Sequence, residues 1–251
     1  MADKTSYETG EPIWTDIATP DLDATIAFYG SLFGWTAERG GEEFGGYSNF
    51  SLDGKHVAGA VPLMYDGQPP VWTCYLSTED SDKTAAQVAE AGGTVHAPPM
   101  AVADLGTMTI FADPSGAFFG TWQSGTHLGT EVVGVDGSPG WAELSTRDKA
   151  KALPFYTSVF GLETKVDDDY TEFQVGGRSV AGCLDMPDTI PAEVPSFWMP
   201  YFLTQDPEAK AKEAASLGGS IMMPLMEMPG IRFSVVTDPH GSAFGLLHMT
   251  G

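Results

Sequence analysis

The chain is written twice, and this constrains its fold more than any local pattern does. Trp14, Phe28, Tyr29, Phe33 and Gly34 recur 127 positions later as Trp141, Phe155, Tyr156, Phe160 and Gly161. Gly54, Val57, Ala58 and Gly59 return 123 positions later as Gly177, Val180, Ala181 and Gly182. Trp72, Tyr75, Gly92, Gly93 and Pro98 return after 126 as Trp198, Tyr201, Gly218, Gly219 and Pro224. The turn Asp113-Pro114-Ser115-Gly116, with Phe119-Gly120 behind it, returns after 125 as Asp238-Pro239-His240-Gly241 and Phe244-Gly245. A period this long, with only small changes of register, describes tandem copies of one domain and not a solenoid of short repeats. Such a duplication builds a pseudo-two-fold axis, and function is expected near it.

A chain of 251 residues is long enough for two domains, each with its own core. The divisions expected are a polar tail over 1–11, a first domain over 12–123, a Gly- and Ser-rich linker over 124–139 and a second domain over 140–251. Hydrophobic content of 42% and charged content of 18% fit a soluble globular protein. No apolar run approaches the roughly 20 residues that span a bilayer, and the tail has no hydrophobic signal region, so a cytoplasmic location is expected. A net charge of −22 argues against nucleic acid and anionic membrane as partners, since both call for basic surfaces. Cys74 and Cys183 do not occupy matching positions, and both lie in predicted strands; they read as buried free thiols.

Each copy reads as two successive strand-helix-strand-strand-strand units. In the first, an apolar strand over Ile13–Ala18 leads to Thr19-Pro20-Asp21, with Thr19 as N-cap, Pro20 in the first helical position and Asp21 at the positive helix end. Leu22, Ile26, Tyr29 and Phe33 fall on one helical face, and Gly34 is the stop. Three short strands are predicted near Thr36–Arg39, Tyr47–Leu52 and His56–Leu63, with Asp53-Gly54 as a hairpin turn. The second unit has a strand over Val71–Thr78, a helix near Ser81–Ala91 stopped by Gly92-Gly93, and closing strands near Thr107–Ala112 and Ala117–Gln123. In the second copy Asp206 and Pro207 cap the corresponding helix, with Gly218 at its end. The fold class is α+β, with strongly curved sheets.

The helix aromatics, the Gly92-Gly93 pair and Asp113-Pro114-x-Gly116 together resemble the vicinal oxygen chelate superfamily, which holds glyoxalase I, extradiol dioxygenases and bleomycin-binding proteins. The resemblance covers about residues 12–123 and 140–249. The pattern Trp141-x-Glu143-Leu144-x-Thr146-Arg147-Asp148 is similar to that of a tandem, two-domain actinobacterial glyoxalase-like branch. The resemblance implies paired βαβββ modules that form a cup; it does not fix a reaction. It also implies where metal-dependent members place their ligands: Trp14 and Trp141 on the first strand, Thr73 and Met199 on the next, Gly120 and Gly245 on the last, and the strand of Ala58–Val61 and Ala181–Leu184. None of these supplies the imidazole and carboxylate set that a divalent ion requires. Four of the five histidines meet a different residue in the other copy, and His127 lies in the linker. No metal and no cofactor are therefore expected.

Strand alternation puts Asp16 on the face of Trp14 and Glu143 on the face of Trp141. Thr73 shares a face with Tyr75, Met199 with Tyr201, and Phe118, Gly120 and Trp122 share a third, matched by Ala243, Gly245 and Leu247. Gly120 and Gly245 are expected to let a ligand approach the backbone. This gives an apolar, aromatic-walled cup with one acid in each copy. Trp14, Trp141, Tyr75 and Tyr201 read equally as core residues. A carboxylate on an inner face must be paired, hydrogen-bonded or protonated, so Asp16 and Glu143 are either neutralised by groups such as Arg147 or Arg232, or act as general base or ligand anchor. Met199, Met222, Met223, Met226 and Met228 gather in the second copy, as does Arg232, which suggests that one pocket, in copy two, is functional. Two functions compete: a module that binds a hydrophobic or aromatic, natural-product-like molecule, and a metal-independent lyase, isomerase or cyclase in which Glu143 or Asp16 is the base and Tyr201 or Tyr75 polarises a carbonyl. A metal-dependent glyoxalase or dioxygenase is disfavoured. With both copies in one chain, a monomer acting as an internal pseudo-dimer is expected.

Overall fold

The computed structural model describes residues 2–41, 44–187 and 190–250. Four βαβββ modules follow one another along the chain. The first is β2 (Pro12–Thr19), α1 (Leu22–Phe33), β3 (Thr36–Arg39), β4 (Ser48–Leu52) and β5 (Lys55–Pro62); a short β1 (Ala2–Asp3) precedes it. The second is β6 (Val71–Ser77), α2 (Ser81–Glu90), β7 (Thr94–Val102), β8 (Gly106–Ala112) and β9 (Phe118–Ser124). After β10 (Val132–Val133) comes the third, with β11 (Pro139–Thr146), α3 (Lys149–Phe160), β12 (Glu163–Asp167), β13 (Tyr170–Val175) and β14 (Arg178–Asp185). The fourth is β15 (Phe197–Leu203), α4 (Pro207–Ser216), β16 (Ser220–Met228), β17 (Ile231–Thr237) and β18 (Ala243–Met249).

The helix ends follow local chemistry, with one correction. Asp21, not Thr19, is the N-cap of α1, its side chain accepting from the Ala24 amide at 3.0 Å, and Pro20 lies before the helix. Thr19 instead exchanges a 2.6 Å hydrogen bond with Thr25. Asp80, Asp148 and Asp206 cap the other three helices in the same way. Gly34 and Gly161 end α1 and α3 in the left-handed region that glycine favours.

Within each copy the two modules join edge to edge into one curved eight-strand sheet. The order in copy one is β3-β4-β5-β2-β6-β9-β8-β7, and in copy two β12-β13-β14-β11-β15-β18-β17-β16. At the centre of each, β2 or β11 runs antiparallel to its neighbour β6 or β15. The two sheets touch through one backbone pairing, Phe118 on β9 with Phe197 on β15.

The cores do not divide as the copies do. Each copy was expected to carry its own, but one core gathers Phe28, Tyr29 and Trp72 from copy one with Phe202, Val236 and Phe244 from copy two. The other gathers Val88, Phe111 and Phe119 with Phe155, Tyr156 and Trp198. The reason lies in the helices, which cover the convex sheet face of the opposite copy as well as their own. The Asp-Pro-x-Gly turns lock this exchange. Tyr156 donates to Asp113 at 3.0 Å while accepting from Trp198 at 2.8 Å; Tyr29 reaches Asp238 at 3.5 Å while accepting from Trp72 at 3.0 Å. Each turn aspartate also accepts amides of its own loop, from Ser115 and Ala117 or from His240 and Ser242. Cys74 and Cys183 are buried free thiols in β6 and β14. Among the described residues no helix is long and apolar enough to cross a membrane.

Candidate functional site

The concave face of each sheet carries the same four-residue network. In copy one the Trp14 indole N–H donates to the Tyr47 hydroxyl at 2.7 Å, and Tyr47 donates to Asp16 Oδ2 at 3.3 Å. Tyr75 donates to the same oxygen at 3.0 Å. In copy two Trp141 donates to Tyr170 at 2.9 Å, Tyr170 to Glu143 Oε2 at 2.9 Å, and Tyr201 to Glu143 Oε1 at 2.8 Å. The registers explain the geometry. Trp14 lies opposite Tyr75 and Asp16 opposite Thr73, while Trp141 lies opposite Tyr201 and Glu143 opposite Met199.

Glycines make these networks possible. Asp16 pairs with Gly59 and Glu143 with Gly182, and a Cβ at either glycine would meet the Tyr47 or Tyr170 hydroxyl at 1.9 or 1.8 Å. Gly120 and Gly245, expected to admit a ligand, are instead covered by the rings of Tyr75 and Tyr201, which would lie 2.2 and 1.9 Å from an added Cβ. The space is used by the protein's own tyrosines, so these glycines are removed from the ligand-contacting set. Tyr47 and Tyr170 were missed by the sequence reading. They are 123 positions apart, the same displacement as Gly54 and Gly177, so the repeat itself held the signal.

Both acids are hydrogen-bonded by phenols and not paired with arginines. Burial pushes the Asp16 carboxyl up to about 7, against the downward pull of the Tyr75 and Tyr47 hydrogen bonds. Burial likewise raises Glu143, opposed by Tyr201 and Tyr170. Burial, reinforced by the nearby acid, raises all four tyrosines, so their hydroxyls stay protonated and donate. Arg147 is spent on the carbonyls of Val194, Ile190 and Pro191. Arg232 shares its strand face with Val236 on the core side and donates to the Gln205 carbonyl, so it leaves the cup set. Because the phenol hydrogens are committed to carboxylates, neither Tyr75 nor Tyr201 is free to polarise a carbonyl while its acid is ionised.

The cups differ in closure. Trp14 and Asp16 are each 7% exposed. The edge of His127 packs on Trp14 with ring centroids 4.6 Å apart, and its carbonyl accepts from Trp122 at 2.9 Å. Burial and the neighbouring His56 push His127 down to about 4, so it sits there neutral. Tyr7 from the tail, together with Val102 and Leu105, packs on the same cluster and donates to the Thr130 carbonyl at 2.6 Å. The segment expected as a linker is thus a strap: Thr130 bonds to Ile13, Glu131 to His56, and β10 pairs with β1. In copy two Trp141 and Glu143 are only half-buried, and the residues packed around Met199, Tyr201, Val235 and Leu247 all belong to copy two. Where copy one fits Trp122 against Gly106, copy two has Leu247 and Ile231, which changes the shape of the wall.

The wall of the second cup is apolar and open. Met223, Met226 and Met228 on β16 pair with Val235, Phe233 and Ile231, the β17 residues on the cup face, and so share that face. Met226 is 44% and Met228 54% exposed. Phe118, expected in a cup, is the exposed first residue of β9 and lies against His96, with centroids 4.4 Å apart, before the strand enters the bowl. Trp14, Trp122, Thr73, Trp141, Met199 and Leu247 stand on the cup faces. Two surface concavities of about 400 and 360 Å³ lie elsewhere, beside Leu22 and Arg39 and beside Asp169 and Asp185; the four-residue networks border neither.

The metal that many proteins of this fold employ can be tested against these donors. A divalent ion needs several converging imidazoles or carboxylates. Each cup floor offers one carboxylate, already shared by two phenols, with Trp, Thr or Met, and Gly at the strand positions that would carry the rest. Among the described residues no group of three His, Cys, Asp or Glu side chains is placed to hold a metal. The residues do not fit one.

Four βαβββ modules paired into two bowls, each with a polar network on its concave floor, define a double-cup α+β protein. The family model of the Glyoxalase/Bleomycin resistance protein/Dioxygenase superfamily matches residues 12–120 and 138–246, and the chain belongs to that superfamily. It is 35% identical over 258 residues to "Putative glyoxylase CFP32" of Mycobacterium bovis, covering 98% of both chains. It is 36% identical to "Anthracycline biosynthesis protein DauV" of Streptomyces sp. (strain C5), covering 98% of this chain and 95% of that one. Among solved structures, the Mn(II)-bound glyoxalase from Novosphingobium aromaticivorans superposes with a TM-score of 0.68 at 17% identity, over 96% of this chain and 82% of that one, a likeness of fold.

Proposed function

We propose that the second cup is a metal-independent site for a small hydrophobic aromatic molecule of natural-product type, and that the first cup is structural. The observation that carries this is the asymmetry of two otherwise matching networks. Copy one buries its Trp-Tyr-Asp-Tyr floor beneath Tyr7 and His127, whereas copy two leaves Trp141 and Glu143 partly accessible beneath a wall of exposed methionines. Exposed apolar surface around a few convergent polar groups is the usual make-up of a ligand site, and methionine adapts to irregular apolar shapes. The relative named for anthracycline biosynthesis supports a polycyclic aromatic ligand.

Titration with 2-hydroxyanthracene, followed by tryptophan fluorescence and native mass spectrometry, tests this. One molecule binds per chain; Met226→Glu removes binding and the matching Met100→Glu does not. Two equivalent sites would refute the assignment, and so would loss on Met100→Glu alone. Stoichiometric iron, zinc, nickel or manganese in the purified protein would refute metal independence.

A second reading is favoured by the Glu143 carboxyl, which burial in an apolar bowl makes a weaker acid and so a stronger base than an ordinary glutamate: the site moves a proton, with Glu143 as base. Anthrone, a tricyclic ketone with an acidic benzylic C–H, tests it. In D2O the wild-type protein accelerates exchange of that hydrogen and Glu143→Gln does not; equal rates for the two would remove this reading.

A further inference from the structure

The hydrogen-bond directions in the second cup carry information about its ligand. The Trp141 N–H is given to Tyr170, the Tyr170 O–H to Glu143 Oε2 and the Tyr201 O–H to Glu143 Oε1, at 2.8 to 2.9 Å each. An indole has one donor and no acceptor, a phenol has one donor, and an ionised carboxylate has acceptors only. Every hydrogen of these four residues is therefore committed inward. What they present to the bowl is oxygen lone pairs: those left on Glu143 and the one left on Tyr201. Met199, opposite Glu143 on β15, adds no donor. Arg232, the cation nearest in sequence to the wall residues, is turned to Gln205 on the other sheet face. The hydroxyl of Ser145, two residues further along β11, rotates either way and does not set a sign.

Resting on the reading of this cup as the ligand site, we propose that it selects molecules presenting a hydroxyl donor, a phenol or enol on a flat apolar body, and discriminates against the same bodies capped as ethers. An ether or carbonyl oxygen at this floor would face other lone pairs and leave the carboxylate unsatisfied beneath it, whereas a hydroxyl gives Glu143 a third charge-assisted bond. The methionine wall with Phe233, whose ring lies edge-on to Tyr201 at 6.2 Å, then receives the aromatic body.

The test compares 2-hydroxyanthracene, 2-methoxyanthracene and anthracene on the wild-type chain at pH 8, where an ordinary phenol of pKa about 10 is still protonated. The hydroxy compound is expected to bind at least about tenfold more tightly than the methoxy compound, the smallest gap that a hydrogen bond to a charged acceptor produces. Anthracene, which brings no oxygen to the floor, should bind no more weakly than the methoxy compound. Equal affinities of the hydroxy and methoxy compounds would overturn the donor rule while leaving the cup a binding site. Failure of all three to bind would overturn both. Met226→Glu serves as the control that the affinities belong to this cup: a hydroxy preference that survives it intact would also overturn the assignment. The wild-type comparison needs no variant to fold.

Discussion

Replacing Asp16 by asparagine should make the protein's stability less dependent on pH, in a direction that the buried network fixes. Burial raises the Asp16 carboxyl from 3.8 to about 7, despite the hydrogen bonds from Tyr75 and Tyr47. Below pH 4 both folded and unfolded states hold the proton, and the site contributes its full stability. Between about 4 and 7 only the folded state holds it, so stability falls as pH rises; above about 7 both states are ionised and the loss is complete. At about 1.4 kcal/mol per pH unit, a window of roughly three units corresponds to ~4 kcal/mol. Asparagine keeps the shape and a carbonyl acceptor but has no proton to lose. Urea or guanidinium unfolding of both proteins at pH 5, 6, 7 and 8 gives the difference in unfolding free energy at each pH, which cancels groups that do not touch Asp16. Relative to wild type, Asp16→Asn should become progressively more favourable by a few kcal/mol between pH 5 and 8. A difference independent of pH, or one that grows in the opposite sense, would refute a neutral, phenol-bonded Asp16.

Three further outcomes test other parts of the structure. In Gly182→Ala the new methyl would stand 1.8 Å from the Tyr170 hydroxyl, so the ring must leave; we expect a loss of ~1–3 kcal/mol from overpacking and, in fluorescence titration, a clear weakening of 2-hydroxyanthracene. Gly59→Ala, which displaces Tyr47 in the sealed cup, should lose similar stability with the probe affinity unchanged. A double-mutant cycle of Tyr156→Phe with Asp113→Ala should show about 1–2 kcal/mol of coupling across the copies, and additive effects by denaturant unfolding would argue against the reciprocal clasp.

The repeat made the module count, the helix faces and the concave position of Trp14, Asp16, Trp141 and Glu143 legible, because period-2 alternation and apolar helical spacing are local signals. What stayed hidden depends on residues far apart in sequence. Asp113 and Asp238 read as turn residues, which they are, but nothing local announces that each also receives a tyrosine of the other copy, 43 or 209 positions away. Gly120 and Gly245 declared that something comes close; a glycine cannot say whether the visitor is a ligand or a tyrosine from the next strand. His127 seemed uninformative because it lies in an irregular segment, yet that segment closes the first cup.

The exchange of cores offers a physical reason why the two cups could diverge. Because α1 and α4 share one core and α2 and α3 contribute to the other, the convex faces carry the packing that holds the copies together. The concave faces are left with small clusters of their own. A change on a concave face, such as Thr73 to Met199 or Gly106 to Ile231, therefore acts on one bowl without disturbing the shared cores. The Trp-Tyr-acid-Tyr floor is common to both bowls, which separates what the fold needs from what a ligand needs. Buried carboxylates demand donors wherever they sit, so the floor alone does not distinguish a functional cup from a structural one. The distinction lies at the rim, where copy one spends Tyr7 and His127 on closure and copy two exposes Met223, Met226 and Met228 where copy one has Ala97, Met100 and Val102.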